Sequence, residues 1–278
     1  MIRRTGGYLQ YREDVASAAS QHLEEQGYVF VEGAFSSEEV AALQHDIEEI
    51  FDNSEPDDRS IGANNMFRYA MLNRSALCQQ VAGHRAILDI IEPLLGEDCH
   101  VIANTAWRNP PSSDDKHNGE RWHIDAGPHV PLPDGVTWPK DIPHPVFAIG
   151  IHVYLKECNL EDGPTGVIPG SHLSGTVPPR DRLLDDDLSY NGQKVVPLIA
   201  KPGDVGFFVS DIWHRRMSTL GGDHGRFFLQ LHYGRRDIAQ RIQPTSQANH
   251  LSQAAISRAT TERDKTIIGL HPALFYDG

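Results

Sequence analysis

Val146-Phe147-Ala148-Ile149-Gly150-Ile151-His152-Val153-Tyr154-Leu155 is the most regular stretch of the chain, and its reading decides the fold. Side chains alternate across a strand, so Phe147, Ile149, Ile151, Val153 and Leu155 make one apolar face. The other face carries Val146, Ala148, Gly150, His152 and Tyr154, where small groups leave room for a ligand beside the imidazole. The same grammar extends outward. Upstream it predicts strands over 99–107 and, briefly, 122–125; downstream over 195–199, 205–210 and 226–233. In the last of these, Arg226, Phe228, Gln230 and His232 share a face, opposite Phe227, Leu229, Leu231 and Tyr233. A strand so divided has one side for the core and one for polar chemistry.

Helical periodicity precedes the strands. Val15, Ala19 and Leu23 keep a spacing of four and end at Gly27, a natural helix stop. Ser36 and Glu39 form a capping-box pair, behind which Val40, Leu43, Ile47 and Ile50 fall on one face. Ile87, Ile90, Ile91, Leu94 and Leu95 repeat the pattern, with Pro93 expected to limit or bend that helix and Gly96 to close it. The polar stretch 52–65 reads as a loop, and 126–145, with six prolines, as a long excursion. No repeat or linker divides the chain. It reads as one domain over 1–278, with a mainly helical part (1–97), a strand-rich core (98–236) and a C-terminal helix and tail (237–278). The fold class expected is mainly β with flanking helices.

Composition narrows the function. A chain of 278 residues buries about three-quarters of its unfolded surface. Cys78, Cys99 and Cys158, odd in number and far apart, fit neither a disulfide framework nor a cysteine zinc site. A net charge of −13 disfavours nucleic acid and anionic membranes as partners. With no secretory apolar region and no bilayer-length apolar run, the expectation is a cytoplasmic monomer or homodimer acting on a small molecule. Fifteen histidines stand out. In Trp122-His123-Ile124-Asp125, period two places His123 and Asp125 on one side, and Trp213-His214 follows the strand after Lys201-Pro202-Gly203-Asp204. Two histidines and one carboxylate are the composition of the facial triad that holds Fe(II) and leaves positions open. Arg226, twelve residues beyond His214, is suited to gripping a carboxylate with two parallel hydrogen bonds, or else to an edge-strand salt bridge.

The chain resembles the phytanoyl-CoA dioxygenase family of Fe(II)- and 2-oxoglutarate-dependent oxygenases. Four stretches carry the resemblance: Gly27-Tyr28-Val29-Phe30-Val31 with Phe35-Ser36-Ser37-Glu38-Glu39-Val40; Trp122-His123-Ile124-Asp125; Asp162-Gly163-Pro164-Thr165-Gly166-Val167-Ile168-Pro169-Gly170-Ser171-His172; and Pro202-Gly203-Asp204-Val205 with His214 and Arg226. It implies a double-stranded β-helix, a jelly-roll or cupin-like barrel. It implies iron ligation by His123, Asp125 and His214, and Arg226 as the clamp for the C5 carboxylate of 2-oxoglutarate. His152 takes the place of a co-substrate contact, or is a satisfied histidine in the barrel wall. Asn104 and Thr105 are further candidates for the co-substrate pocket, and Arg108, His129, Trp138 and Arg216 for the substrate. The carboxylate at 125 points away from halogenating relatives, which have Gly or Ala there. His172 reads as structural. Many relatives carry Ser or Asn two residues after the distal histidine; here stand Arg215 and Arg216, two charges that are either solvated or attract an acidic substrate.

The implied chemistry is oxidation of an unactivated C–H bond with Fe(II), 2-oxoglutarate and O2, releasing succinate and CO2. Hydroxylation is the default; desaturation, cyclisation or epimerisation would use the same ligands. The segments 126–145 and 52–69 and the C-terminal tail are the expected lids, and an intermediate of secondary metabolism the expected substrate. Two rivals remain at this stage. One is a cupin-like barrel using another divalent metal for hydrolysis or isomerisation, the other a jelly-roll binding module without catalysis.

Overall fold

The computed structural model describes the backbone of residues 2–5 and 8–11, and residues 16–53, 67–111, 119–133, 135–238 and 251–272 with their side chains. A hairpin of β1 (Ile2–Thr5) and β2 (Tyr8–Tyr11) comes before α1 (Ala18–Gln26), β3 (Tyr28–Val31) and α2 (Ser37–Asn53). Then follow β4 (Phe67–Tyr69), α3 (Met71–Arg74), α4 (Ala76–Ala82), α5 (Arg85–Leu95) and the long β5 (His100–Asn109). The remaining strands are β6 (Ala148–Tyr154), β7 (Thr165–Val167), β8 (Ser189–Tyr190), β9 (Gln193–Lys194), β10 (Val196–Pro197), β11 (Val205–Val209), β12 (His214–Arg216) and β13 (Arg226–Gly234). Two short helices, α6 (Gln253–Arg258) and α7 (Glu262–Ile267), come last. No helix among the described residues is long and apolar enough to cross a membrane.

The alternation in 146–155 becomes the centre of a six-stranded antiparallel sheet ordered β3-β11-β6-β13-β5-β4. Its apolar face, including Ile149, Ile151, Val153, Leu229 and Leu231, packs with Leu43, Ile47, Ile87 and Ile91 of the helices into one core. Each such side chain fully buried contributes about 1.5–3 kcal/mol. The opposite face carries His152, Phe228, Gln230 and His232 and looks toward a smaller sheet, β10-β7-β12. Period two in β6 and β13 thus separates stability from chemistry within single strands.

The helix signals act locally as read. Ser36 and Glu39 make the reciprocal capping bonds, and Gly27 closes α1 in the left-handed region at φ +80°. Pro93 does not end its helix; α5 runs to Leu95 and closes where Gly96 N–H donates to Glu92 O at 2.9 Å. Strand lengths differ more. β5 reaches Asn109, stopping before Pro110. The expected strand 195–199 shrinks to two residues, because Pro197 has no N–H for a ladder. The expected strand 122–125 is a single antiparallel bridge between His123 and His214. The same shortening explains why, among the described residues, the two sheets face each other without closing into a bonded barrel.

The Pro-Gly-Ser-His turn is a clamp between these layers. Buried Ser171 Oγ donates to Ile168 O at 2.7 Å and accepts from Trp213 N–H at 2.9 Å, while His172 Nε2–H donates to Glu24 O at 3.0 Å. A Cβ on Gly27 would stand 2.5 Å from His172 Nδ1, so glycine is needed there for space as well as for φ.

Burial, reinforced by neighbouring His144, pushes the His172 imidazole from its ordinary 6.5 down to about 4. The folded value lies below the unfolded one, so the unfolded chain takes up the proton first as pH falls. The contribution of His172 to stability is whole above 6.5 and is lost as pH falls toward 4. Its limiting slope is about 1.4 kcal/mol per pH unit. Melting curves recorded across that window are expected to show a shallower pH dependence for His172→Asn than for the parent protein.

Candidate metal centre and anion pocket

Two backbone hydrogen bonds make the centre. His123 N–H donates to His214 O, and His214 N–H to His123 O, each at 3.0 Å, so the two imidazoles stand with ring centroids 4.4 Å apart. Asp125 N–H donates to Ser210 O at 3.0 Å, which keeps Asp125 on the side of His123 although 122–125 is not a full strand. One ligand atom each from His123, Asp125 and His214 lies within 4.8 Å of the others. Asp125 Oδ1 is 3.5 Å from His214 Nε2 and 4.0 Å from His123 Nε2. His123 Nδ1–H donates to Arg121 O at 2.8 Å, and His214 Nδ1–H to Ile212 O at 3.0 Å. Carbonyl acceptors fix that tautomer and leave both Nε2 lone pairs for a metal.

Electrostatics favours an ionised Asp125 and a neutral His123. Burial pulls the Asp125 carboxyl upward, but His214 and His232 outweigh it and hold the group well below the carboxylate range. Burial and the charge of His214 lower His123, whereas for His214 burial is outweighed by Asp125 and the value rises. An ionised carboxylate with a neutral His123 is a donor set for a divalent cation.

The three groups open into a cavity of about 350 Å³ between the two sheets, whose lining includes Thr105, Trp107, His152, Thr165, Arg226, Phe228, Gln230 and His232. Arg226 is its buried cation. Its Nε–H donates to Asn109 Oδ1 at 3.1 Å, Nη1–H donates to Gly163 O at 3.2 Å, and the guanidinium lies over Phe228 at 5.5 Å. No carboxylate of the described residues pairs with it, and burial lowers it to about 10. A buried cation braced by neutral groups and facing a cavity fits an anionic ligand. His152, driven well below its ordinary value by burial and by Arg226, stands neutral beside Thr165, Nδ1 to Oγ1 at 3.4 Å. The buried Tyr154 hydroxyl lies on the same face of β6, near Thr165.

Several expected contacts lie elsewhere. Arg108 points off the pocket and pairs with Asp52 at 2.9 Å over the Phe51 ring, because Trp107 and Thr105 take the inward register. His129 is held by Asp211, Nδ1 to Oδ2 at 2.8 Å, and stacks on Phe147. Trp138 donates to Ile142 O and lines a separate depression of about 370 Å³ with His144. The described part of 126–145 therefore does not line the cavity, whereas Tyr69 does. Of the other expected lids, 54–66 and 273–278 lie outside the described residues, as does His117. Asn104 borders the cavity, but its Oδ1 accepts from Leu72 N–H at 2.9 Å. Arg216 and Arg215 reach the lining already paired, with Asp223 at 3.4 Å and with Asp186. They are neither solvated nor free for an acidic substrate. The space beside Gly150, read as room for a ligand, is filled by Phe208 and His232. His232 is the residue that sequence reasoning passed over; the alternation placed it on the face of Arg226, but only the fold brings it to Asp125.

The family profile described as Phytanoyl-CoA dioxygenase (PhyH) matches residues 23–216. No curated protein matches the chain. Among solved structures, apo EctD from S. alaskensis aligns with TM-score 0.64 at 22% identity over 87% of this chain and 90% of that one. The α-ketoglutarate-dependent epimerase SnoN from nogalamycin biosynthesis aligns with TM-score 0.59 at 20% identity, over 78% and 81%. HygX from Streptomyces hygroscopicus, with nickel, 2-oxoglutarate and hygromycin B bound, aligns with TM-score 0.61 at 15% identity, over 81% and 90%. These likenesses establish the double-stranded β-helix class of the fold.

Replacing Asp125 by Ala removes the acceptor between two imidazoles. Its divalent-cation affinity, measured by anaerobic titration, is expected to fall by more than the ~100-fold typical of losing an outer-shell group.

Proposed function

Because the chain belongs to the phytanoyl-CoA dioxygenase family of Fe(II)- and 2-oxoglutarate-dependent oxygenases, we propose that it oxidises an unactivated C–H bond of a small molecule, by hydroxylation, with release of succinate and CO2. The observation that carries this reading is Arg226, a buried guanidinium without a carboxylate partner among the described residues, in one cavity with His123, Asp125 and His214. The side chains present fit both groups that the family uses. His123, Asp125 and His214 would hold Fe(II) from one side, and Arg226 the far carboxylate of 2-oxoglutarate, with His152 and Thr165 along its flank.

When bound, Fe(II), 2-oxoglutarate and O2 supply the oxidising power that the side chains lack. The protein's own work is placement. The His123–His214 bridge fixes two ligands to the backbone, and the Nδ1–carbonyl bonds keep their rings from turning. Asn109 and Gly163 aim the guanidinium. Phe228 and Trp107, stacked with centroids 6.2 Å apart, make an apolar wall that keeps water from the reacting bond. On the substrate side, Tyr69, Trp107 and Gln230 offer rings and one amide, which suits a compact, partly polar molecule. The solved structures hold 5-hydroxyectoine, nogalamycin RO and hygromycin B, which belong to those proteins; their variety supports a small-molecule substrate here. Desaturation, cyclisation and epimerisation draw on the same ligand set, and product analysis separates them from hydroxylation.

The test is 2-oxoglutarate-dependent succinate release with Fe(II), screened for metabolites that stimulate it, beside an anaerobic titration followed by visible charge-transfer absorption. No absorption and no succinate would overturn the reading. Removing a buried charged partner costs about 2–5 kcal/mol. Arg226→Met is therefore expected to raise the apparent KM for 2-oxoglutarate at least ~30-fold, while Fe(II) uptake alone stays close to that of the parent.

A further inference from the structure

The two oxygens of Asp125 have different neighbours. Oδ1 faces His214 Nε2 at 3.5 Å and His123 Nε2 at 4.0 Å, whereas Oδ2 lies 3.0 Å from His232 Nε2. His232 comes from the larger sheet, is 6% exposed, and sits in a place shaped for its ring. A Cβ at residue 150 would stand 2.7 Å from His232 Nε2 and 2.6 Å from Phe208. Glycine in the middle of a strand is unfavourable unless another group approaches closely, and here the approaching group is this imidazole. The ring edge is also flanked by Gln230, whose Nε2 is 3.4 Å from His232 Nε2 and whose Oε1 accepts from Trp107 Nε1–H at 2.7 Å.

We infer that His232 is a positioning residue, which engages Oδ2 of Asp125 so that Oδ1 alone is presented beside His123 and His214. The inference rests on reading those three groups as the metal site. A carboxylate whose second oxygen is free can turn about χ2 or bind with both oxygens, and the second mode would occupy a position that a three-ligand face has to leave open. His232 removes that freedom from the side of the other sheet, and Gly150 supplies the space from which it does so.

The test uses Co(II) alone as probe, titrated into the full chain and read by its visible ligand-field absorption, with thermal melts as the folding control. His232→Leu is expected to weaken Co(II) binding about 10–100-fold and to alter the absorption. His232→Gln, whose amide nitrogen reaches close to the Nε2 position, is expected to restore most of both. Gly150→Ala displaces the ring and is expected to weaken binding in the same direction, with no further loss when combined with His232→Leu. Should His232→Leu fail to fold, the Gln and Gly150→Ala variants decide the matter. The inference is overturned by a His232→Leu protein with parent-like affinity and spectrum, by no rescue in the Gln variant, or by losses at 150 and 232 that add. A parent protein that takes up no Co(II) overturns the metal reading as well, which separates the two failures.

Discussion

The site depends on one pair of reciprocal backbone hydrogen bonds, those joining His123 and His214. Glu120 N–H donates to Arg216 O and Asp125 N–H to Ser210 O on either side of this pair, but among the described residues only His123 and His214 exchange both bonds. Further bonds support this bridge. Ile168 N–H donates to Trp213 O, Ser171 Oγ accepts from Trp213 N–H, and Asp125 N–H is taken by Ser210 O. These bonds anchor Trp213, next to His214, and the candidate ligand Asp125 itself. A longer strand would have supplied more bonds, but its regular pleat would also have set the geometry of the open side. A single bridge gives two fixed side chains and a pocket mouth.

How much of this could be read beforehand follows from the range of each interaction. The two-faced character of β6 and β13 was legible because period two is a local property of the chain. So were the capping box at Ser36 and Glu39 and the helix stop at Gly27, where a few neighbouring residues decide the outcome. The grouping of His-x-Asp with the distal histidine was legible as a pattern, although its local structure is a bridge where a strand was expected. Contacts between distant segments were not legible. Asp186 and Asp223 neutralise Arg215 and Arg216, and Asp211 draws His129 away from the cavity. His232 was on the right face, yet no local signal joins it to Asp125.

The charge pattern also resolves at the level of pairs. The chain has an excess of acidic groups, and the arginines around the cavity largely meet carboxylates. Arg226 does not; its bonds go to an amide oxygen and a backbone carbonyl. Neutral acceptors orient a guanidinium without cancelling its charge, so the desolvation it suffers on folding is left for a ligand to offset. The acidic excess of the chain and a cationic group in the cavity are therefore compatible, because Arg226 is buried between the two sheets.

Arg226 and His232 lie on the same face of one strand, bonded on both sides by β5 and β6. The spacing of Arg226 and His232 along the strand is thus governed by backbone pitch, ~3.3 Å per residue, up to the register shift that follows His232. A slip of one residue would turn Leu229 and Leu231 into the cavity and the polar set into the core, so register can change only in double steps of ~6.6 Å. The strand behaves as a graduated rule with coarse divisions. The placement of Arg226 relative to His232 is consequently a property of main-chain geometry, insulated from most point substitutions.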